Sequence, residues 1–139
     1  MSVITLEIPC RSEGHGHILD LTPETARAVA ESGLTAGTVT LFVPGSTASL
    51  TTIEFEPGAV ADFRRLFDEL AHPDREYRHH LTWGDDNGHA HVRAALLGPS
   101  LTVPFVGGKL TLGTWQQIIL VDFDTRARDR RIVAQLMGE

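Results

Sequence analysis

The stretch GTWQQIILVDF, residues 113–123, decides the fold that we expect for this chain. Its apolar run over residues 118–121 predicts a strand spanning residues 115–123. Gly113 before the strand permits close approach of a neighbouring backbone. At the strand start, Trp115 is either packed into a core or subunit interface, or free to stack on a flat ring whose edge Gln116 would bind.

The residues before this strand have the pattern of a β-hairpin. Residues 101–106 and 109–112 are predicted strands, and Gly107-Gly108 between them can form a two-residue hairpin turn. Pro104 predicts an edge position or a bulge in the first of these strands, because proline has no N–H to donate to a sheet. With a last strand expected at 131–137, the chain from residue 101 onward is predicted to be β structure.

The first hundred residues mix strands with helices. Thr22-Pro23-Glu24 predicts a helix start with a hydroxyl N-cap, and Ser32-Gly33 predicts its end. We expect a single α+β domain over residues 1–139, with a mainly antiparallel β-sheet or sandwich and two to three helices. The other expected strands cover residues 3–8, 38–43 and 48–55, and the other expected helices cover residues 59–71 and 92–97.

Composition and charge exclude several classes of function. The net charge of −6 argues against a general nucleic-acid binder, because such proteins cluster Lys and Arg. The arginine-rich run at 126–131 is expected to be a solvated turn. A single cysteine, Cys10, fits a reducing compartment. Neither a signal-peptide pattern nor an apolar stretch of about 20 residues is present, so we expect a cytoplasmic protein without membrane contact.

Four histidines and two adjacent carboxylates lie between Tyr77 and His91, in a segment expected to be a polar loop. Neutral imidazole is a common metal ligand, and catalytic zinc sites use three protein ligands. His89 and His91 would point about 200° apart on a helix but share a face in an extended segment. A joint role therefore requires an extended segment, with His79 or His80 as the third ligand. The alternative is a solvated loop.

Residues 45–49, Gly-Ser-Thr-Ala-Ser, join two predicted strands. The glycine and the hydroxyls of Ser46 and Thr47 suit a turn that binds an anion such as phosphate, although an ordinary turn has the same residues. Glu54 follows on the strand. Its carboxylate either points inward and completes a metal site or is exposed to solvent. Asp122 and Asp124 are expected near a strand end and turn rather than in catalysis.

Several segments together resemble the YjbQ-like family, also described as secondary thiamine-phosphate synthases. The resemblance covers nearly the whole chain, and its most specific part is GPSLTVP at residues 98–104 followed by GTWQQI at 113–118. The supporting segments are DLT at 20–22, STASLT at 46–51 leading to Glu54, YRH at 77–79 and AH at 90–91.

This resemblance implies an α+β fold, a homotrimer and a site between subunits that holds a histidine-bound metal. By position, His79 and His91 match the family's histidines, whereas Gly45 stands where many members have another histidine. His89 can supply the missing imidazole, and His80 competes with His79. The implied reaction joins a hydroxymethylpyrimidine diphosphate to a thiazole phosphate with loss of pyrophosphate.

We therefore expect a transferase for a small phosphorylated metabolite, with His79, His89 and His91 on a divalent metal. Zinc is the expected ion, with magnesium as an alternative for a diphosphate substrate. Glu54 and Asp85 are the candidate catalytic carboxylates. Two other functions remain open: a zinc-dependent hydrolase of a small phosphate or amide with Glu54 as general base, and a non-catalytic trimeric metal- or metabolite-binding protein. The residues expected to bind the substrate are Ser46, Thr47, Trp115 and Gln116.

Overall fold

The computed structural model describes residues 1–139 as eight strands and four helices. The strands are β1 (Ser2–Ser12), β2 (His17–Asp20), β3 (Ala36–Phe42), β4 (Ala48–Ile53), β5 (Ser100–Val106), β6 (Lys109–Leu110), β7 (Gln117–Asp122) and β8 (Arg128–Gly138). The helices are α1 (Thr22–Ser32), α2 (Pro57–Leu70), α3 (Arg78–Trp83) and α4 (Gly88–Leu97).

Two antiparallel sheets organise these elements. One has five strands in the order β1-β8-β3-β5-β6, and the other has three in the order β2-β7-β4. The expected α+β class with mainly antiparallel sheets is confirmed, although the chain has four helices rather than two or three. None of the helices has the length and apolar character needed to cross a lipid bilayer.

The central strand of the smaller sheet, β7, is buried on both faces. Ile118 and Leu120 belong to the larger core, which joins the two sheets and α1. Ile119 and Val121 belong to a second core, formed with residues of α2 and α4. Because successive side chains point to opposite faces, a strand enclosed on both sides must be apolar at every position. This double burial accounts for the unbroken apolar run of residues 118–121.

The predicted hairpin between β5 and β6 is confirmed. Gly107 and Gly108 have φ angles of 60° and 70°, and two consecutive positive φ values are the requirement of a type I′ turn. The short β6 pairs only with Phe105 and Val106. Pro104 therefore lies where the strand pairing on the outer side of β5 ends. Only its carbonyl is bonded there, to the Thr111 amide at 3.0 Å, in agreement with the expected edge position.

Helix α1 has the predicted bounds, but Thr22 is not its N-cap. Its N-cap is Leu21, and the side chain of Asp20 accepts a hydrogen bond from the Thr22 amide at 2.9 Å. The Thr22 hydroxyl accepts instead from the Ile118 amide at 2.9 Å, so it ties the helix to β7 rather than capping it. Gly33 ends the helix with a φ of 70°, as predicted.

The expectation of a polar loop over residues 77–91 is wrong. Residues 78–83 form α3, which Gly84 ends in the left-handed conformation. Helix α4 begins at Gly88, four residues before the predicted start, so that Ala90 and Ala94 pack into the second core beside β7. Tertiary packing of these small apolar residues therefore makes the histidine-bearing segment helical despite its polar composition.

Removing the buried side chain of Leu120 should test the central role of β7. Leu120 is fully buried, so Leu120→Ala leaves a cavity and should lower the free energy of unfolding by about 2–5 kcal/mol. Urea denaturation monitored by circular dichroism measures this change. The control Val3→Ala, at a side chain that is 58% exposed, should cost about 0.5 kcal/mol or less. Equal losses of unfolding free energy in the two variants would contradict the central role of β7.

Candidate functional site

Two buried carboxylates lie at the C-terminal end of β7. Asp122 is the last residue of the strand and Asp124 lies two residues beyond it, with exposed fractions of 0% and 1%. Their expected position at a strand end is therefore observed, but their burial was not expected. An ionised carboxylate removed from water requires charged or hydrogen-bonding partners, and both residues have several.

Asp122 is paired with Arg130 of β8. The arginine Nε atom donates to Oδ2 of Asp122 at 2.8 Å, and Nη2 donates to Oδ1 at 2.9 Å, which is a bidentate arrangement. The Ser12 hydroxyl donates to the same Oδ2 at 2.6 Å. The side chain of Arg130 is only 9% exposed, so this ion pair is part of the interior. It joins the larger sheet to the end of the smaller one.

Asp124 receives hydrogen bonds from three side chains and one amide. The Thr47 hydroxyl donates to Oδ2 at 3.1 Å, and Arg128 Nε donates to the same oxygen at 2.8 Å. Asn87 Nδ2 donates to Oδ1 at 3.4 Å, and the Thr125 amide donates to it at 2.8 Å. Burial alone would raise the pKa of Asp124, but these hydrogen bonds outweigh it and lower the pKa from 3.8 to about 2.

Asn87 connects Asp124 to a pair of imidazoles. Its Oδ1 atom lies 3.1 Å from Nε2 of His79, which is also 3.2 Å from Oδ2 of Asp85. The ring of His91 contacts that of His79, with a centroid separation of 4.3 Å. The structure thus brings together three of the predicted site residues, His79, His91 and Asp85, around an asparagine that sequence reasoning did not select.

The predicted anion-binding turn lies beside this imidazole pair. We call Gly45, Ser46 and Thr47 the hydroxyl turn. A cavity of about 210 Å³ is lined by Gly45, Ser46 and His91, together with residues of α4 and Pro99. Thr47 is buried and bonded to Asp124, whereas Ser46 is exposed. A continuous chain of hydrogen bonds therefore runs from the hydroxyl turn through Asp124 and Asn87 to His79.

His89 does not join this pair, because it lies on the opposite side of α4 from His91. On a helix, two residues of separation turn the side chain by about 200°. His89 packs 6.3 Å from the Tyr77 ring and lines a different cavity, of about 270 Å³, with His15 and Arg93. Desolvation lowers the pKa of His89, and its buried Nδ1 has no partner. The extended segment that joint ligation by His89 and His91 requires is absent.

His80 is also directed elsewhere. Its Nε2 atom accepts a hydrogen bond from the Gly88 amide at 3.1 Å, at the start of α4. Within one chain, no group of three or more His, Cys, Asp or Glu side chains is arranged to hold a metal ion. The donor set of a single chain, two imidazoles with one carboxylate already bonded to His79, therefore does not fit the expected three-ligand zinc site.

The remaining predicted residues form a second group at the other end of β4. Glu54 is exposed immediately after β4, and Trp115 is 73% exposed. Gln116 Nε2 donates to the Thr52 hydroxyl at 3.2 Å, which holds the amide against the same strand end. Glu54 is seven positions after Thr47 along extended chain, a distance of roughly 20 Å. In one chain, these residues therefore do not meet the imidazole pair.

Sequence reasoning missed three residues of the site: Asn87, Arg128 and Arg130. It also missed the structural role of Asp122 and Asp124. The run at 126–131 is not the expected solvated turn, because β8 begins at Arg128, three residues before the predicted start. A usable signal existed: Arg128 and Arg130 share the parity of the apolar residues that follow in β8. Charged residues at inward-facing positions of a strand indicate buried carboxylate partners.

Acid titration should reveal the hydrogen bonds around Asp124. A pKa lowered from 3.8 to about 2 stabilises the folded protein above about pH 4, and this stability is lost as the pH falls towards 2. Between about pH 5 and pH 2, the wild type should lose about 2 kcal/mol more unfolding free energy than Asp124→Asn. Urea titrations at each pH measure the difference. The control Asp129→Asn, at a carboxylate that is 80% exposed, should retain the wild-type slope, and parallel curves for wild type and Asp124→Asn would contradict this account.

Comparison with known proteins places the fold and these motifs in a family. The family described as UPF0047 protein YjbQ-like matches residues 6–139. A UPF0047 protein of Methanothermobacter thermautotrophicus is 32% identical over 139 residues, covering 100% of this chain and 95% of the relative. One from Archaeoglobus fulgidus is 33% identical over 132 residues, covering 95% of this chain and 100% of the relative.

Solved structures agree with this result. The crystal structure of a YbjQ-like protein from Sulfolobus solfataricus matches with a TM-score of 0.89 and 32% identity, covering 99% of this chain and 100% of that one. A protein from Aeropyrum pernix matches with a TM-score of 0.90 and 32% identity, covering 98% and 99%. The chain therefore belongs to the YjbQ-like UPF0047 family.

Proposed function

We propose that this chain is an enzyme of small phosphorylated metabolites. The observation that supports the proposal is the hydrogen-bond chain from Thr47 through Asp124 and Asn87 to His79. It fixes a turn rich in hydroxyl and amide groups beside two contacting imidazoles. Donors to a phosphate and groups that carry protons near neutral pH are thereby held in one place, as phosphate-ester chemistry requires.

The first candidate reaction joins a hydroxymethylpyrimidine diphosphate to a thiazole phosphate. The bond between the methylene carbon and the diphosphate oxygen breaks, and its electron pair leaves with the diphosphate. A new bond forms from the thiazole nitrogen to that carbon. Negative charge therefore develops on the leaving oxygen, where a ring N–H of His79 or His91 and the donors of the hydroxyl turn can stabilise it.

The expected metal remains a separate proposal. A divalent ion would neutralise the leaving diphosphate when bound, but one chain offers too few suitable ligands at the imidazole pair, so no step here depends on it. Elemental analysis of the purified protein tests it directly. A zinc hydrolase with Glu54 as general base would need Glu54 from a second chain, because Glu54 lies roughly 20 Å from the hydroxyl turn in the same chain.

We also propose that the active assembly is a cytoplasmic homotrimer. Glu54, Trp115 and Gln116 lie at the end of the smaller sheet opposite to His79 and His91, so only a second chain can bring the two groups together. The exposed indole of Trp115 suits such a contact. In this arrangement the Trp115 end of one protomer would complete the site of the next.

Replacement of either paired histidine should strongly reduce turnover without unfolding the protein. His79→Ala and His91→Ala should each lower the rate of thiamine phosphate formation at least about 100-fold, the usual contribution of an acid–base or charge-stabilising group. A coupled assay for released pyrophosphate measures this rate. His72→Ala, which removes a half-exposed imidazole outside the site, is the matched control and should retain the wild-type rate.

The same proteins separate the three candidate functions. Unchanged turnover in both His79→Ala and His91→Ala would exclude the transferase mechanism, whereas phosphatase activity lost on chelation would favour a metal hydrolase. Bound metal without turnover of either kind would favour a non-catalytic binding protein. If the imidazoles hold the metal, its content should fall in His91→Ala and stay at the wild-type level in His72→Ala.

Mixing of two inactive variants should test the shared site. Trp115→Ala and His91→Ala damage opposite halves of it, so co-folded mixed trimers should regain up to about one quarter of wild-type turnover. Light scattering after size exclusion gives the mass of each assembly. The control is Phe42→Ala, which removes a partly exposed ring from the other sheet and should keep the wild-type mass and turnover. A monomeric wild type, or an inactive mixture of intact trimers, would contradict the shared site.

A further inference from the structure

The proposed function leaves the two arginines behind the hydroxyl turn without a role towards the substrate. Arg128 and Arg130 are alternate residues of β8 and share one face of the strand. We propose that they form a pocket that binds the phosphate or diphosphate end of a small molecule. The inference rests on the proposed function, because it names the residues that would bind the charged part of the substrate.

The Arg130 guanidinium is held rigidly and is only partly used. Its Nε and Nη2 atoms bind Asp122, and Nη2 also donates to the Thr47 hydroxyl at 2.9 Å. Its Nη1 atom donates to no group of the protein and is not fully buried. Two N–H groups are therefore held in position, accessible and free to bind an external acceptor.

Arg128 has the same arrangement around the neighbouring carboxylate. Its Nε and Nη2 atoms lie 2.8 and 2.7 Å from Oδ2 of Asp124, and its Nη1 has no acceptor in the protein. The side chain is about one third exposed, 34%, so an external ligand can reach it. The two buried aspartates thus act as positioning groups that hold one side of each guanidinium and leave the other side available.

The free Nη1 of Arg130 lies directly beside Gly45. A Cβ atom placed on Gly45 would be 2.8 Å from this nitrogen, so the missing side chain keeps the donor open at the turn. A cavity of about 400 Å³ is lined by Pro44, Arg128, Arg130 and Arg131, with Glu7 and Asp129 at its acidic side. This cavity adjoins the one at His91, because Pro44 lines the first and the next residue, Gly45, lines the second.

The charges of this region select the class of ligand. Asp122 and Asp124 balance Arg130 and Arg128, so a ligand is attracted by oriented N–H donors more than by excess positive charge. Phosphate and diphosphate groups carry several acceptor oxygens that can occupy donors from both guanidinium groups at once. A single carboxylate has fewer acceptors and would bind more weakly.

Calorimetric titration with inorganic phosphate and pyrophosphate tests the pocket without requiring turnover. The wild type should bind pyrophosphate more tightly than phosphate. Arg128→Gln should weaken pyrophosphate binding at least about tenfold, because it removes charge-assisted donors from a partly exposed position. Gly45→Ala should also weaken it without removing a charge, because its methyl group would lie 2.8 Å from Nη1 and because a φ of 133° is strained for alanine. Arg65→Gln, at an exposed arginine of α2, should bind as the wild type does.

Each result bears on the pocket independently of catalysis. Wild-type affinity in both Arg128→Gln and Gly45→Ala, or no saturable binding to the wild type, would overturn the proposal. Crystals of the wild type soaked in pyrophosphate should place the anion against both arginines, and density elsewhere would also overturn it. If the protein binds pyrophosphate but shows no turnover, the proposed function is contradicted and the pocket is not. If it shows turnover but its pyrophosphate binding does not depend on the arginines, the pocket is contradicted and the proposed function is not.

Discussion

The burial of two carboxylates at one strand end is the constraint on which the rest of the structure depends. Asp122 and Asp124 are almost completely buried, and an unpaired charge in that position would cost several kcal/mol. Their partners come from separate parts of the chain: Ser12, Thr47, Asn87 and the arginines of β8. Satisfying the two charges therefore joins both sheets and the start of α4, and the same bonds assemble the candidate site.

The position of the carboxylates follows from β7. Its four apolar residues are enclosed between two cores, so the strand cannot shift by one residue without exchanging the residues that face each core. The end of the strand is consequently fixed, and with it Asp122 and the turn to Asp124. The amide of Phe123 donates to the carbonyl of Thr47 at 2.9 Å, which holds the hydroxyl turn at this end. Hydrophobic burial thus determines where the polar groups meet.

The hairpin and every strand except β2 could be predicted from sequence because their signals are local. Alternation, the Gly107-Gly108 turn and Pro104 each act through the backbone of a few neighbouring residues. The helical state of residues 88–91 could not be predicted in this way, since it depends on Ala90 and Ala94 packing against a strand thirty residues away. Of the predicted site residues, His79, His91, Asp85 and Thr47 lie close together, whereas Glu54 and Trp115 lie at the opposite end of β4. The bonds of Asn87 join distant segments and leave no local pattern, whereas Arg130 has one local signal, its inward-facing position in β8.

The orientation of α4 about its own axis explains why four histidines that are close in sequence do not form one set of four ligands. Ala90 packs inward, which directs His89 to one side of the helix and His91 to the other. His80 satisfies the first amide of the helix, and His79 faces Asn87 and Asp85. Each imidazole therefore meets a different set of neighbours, and only two of them contact each other. The sequence gives the number of imidazoles, but the helix and its packing determine how many of them can act on one substrate.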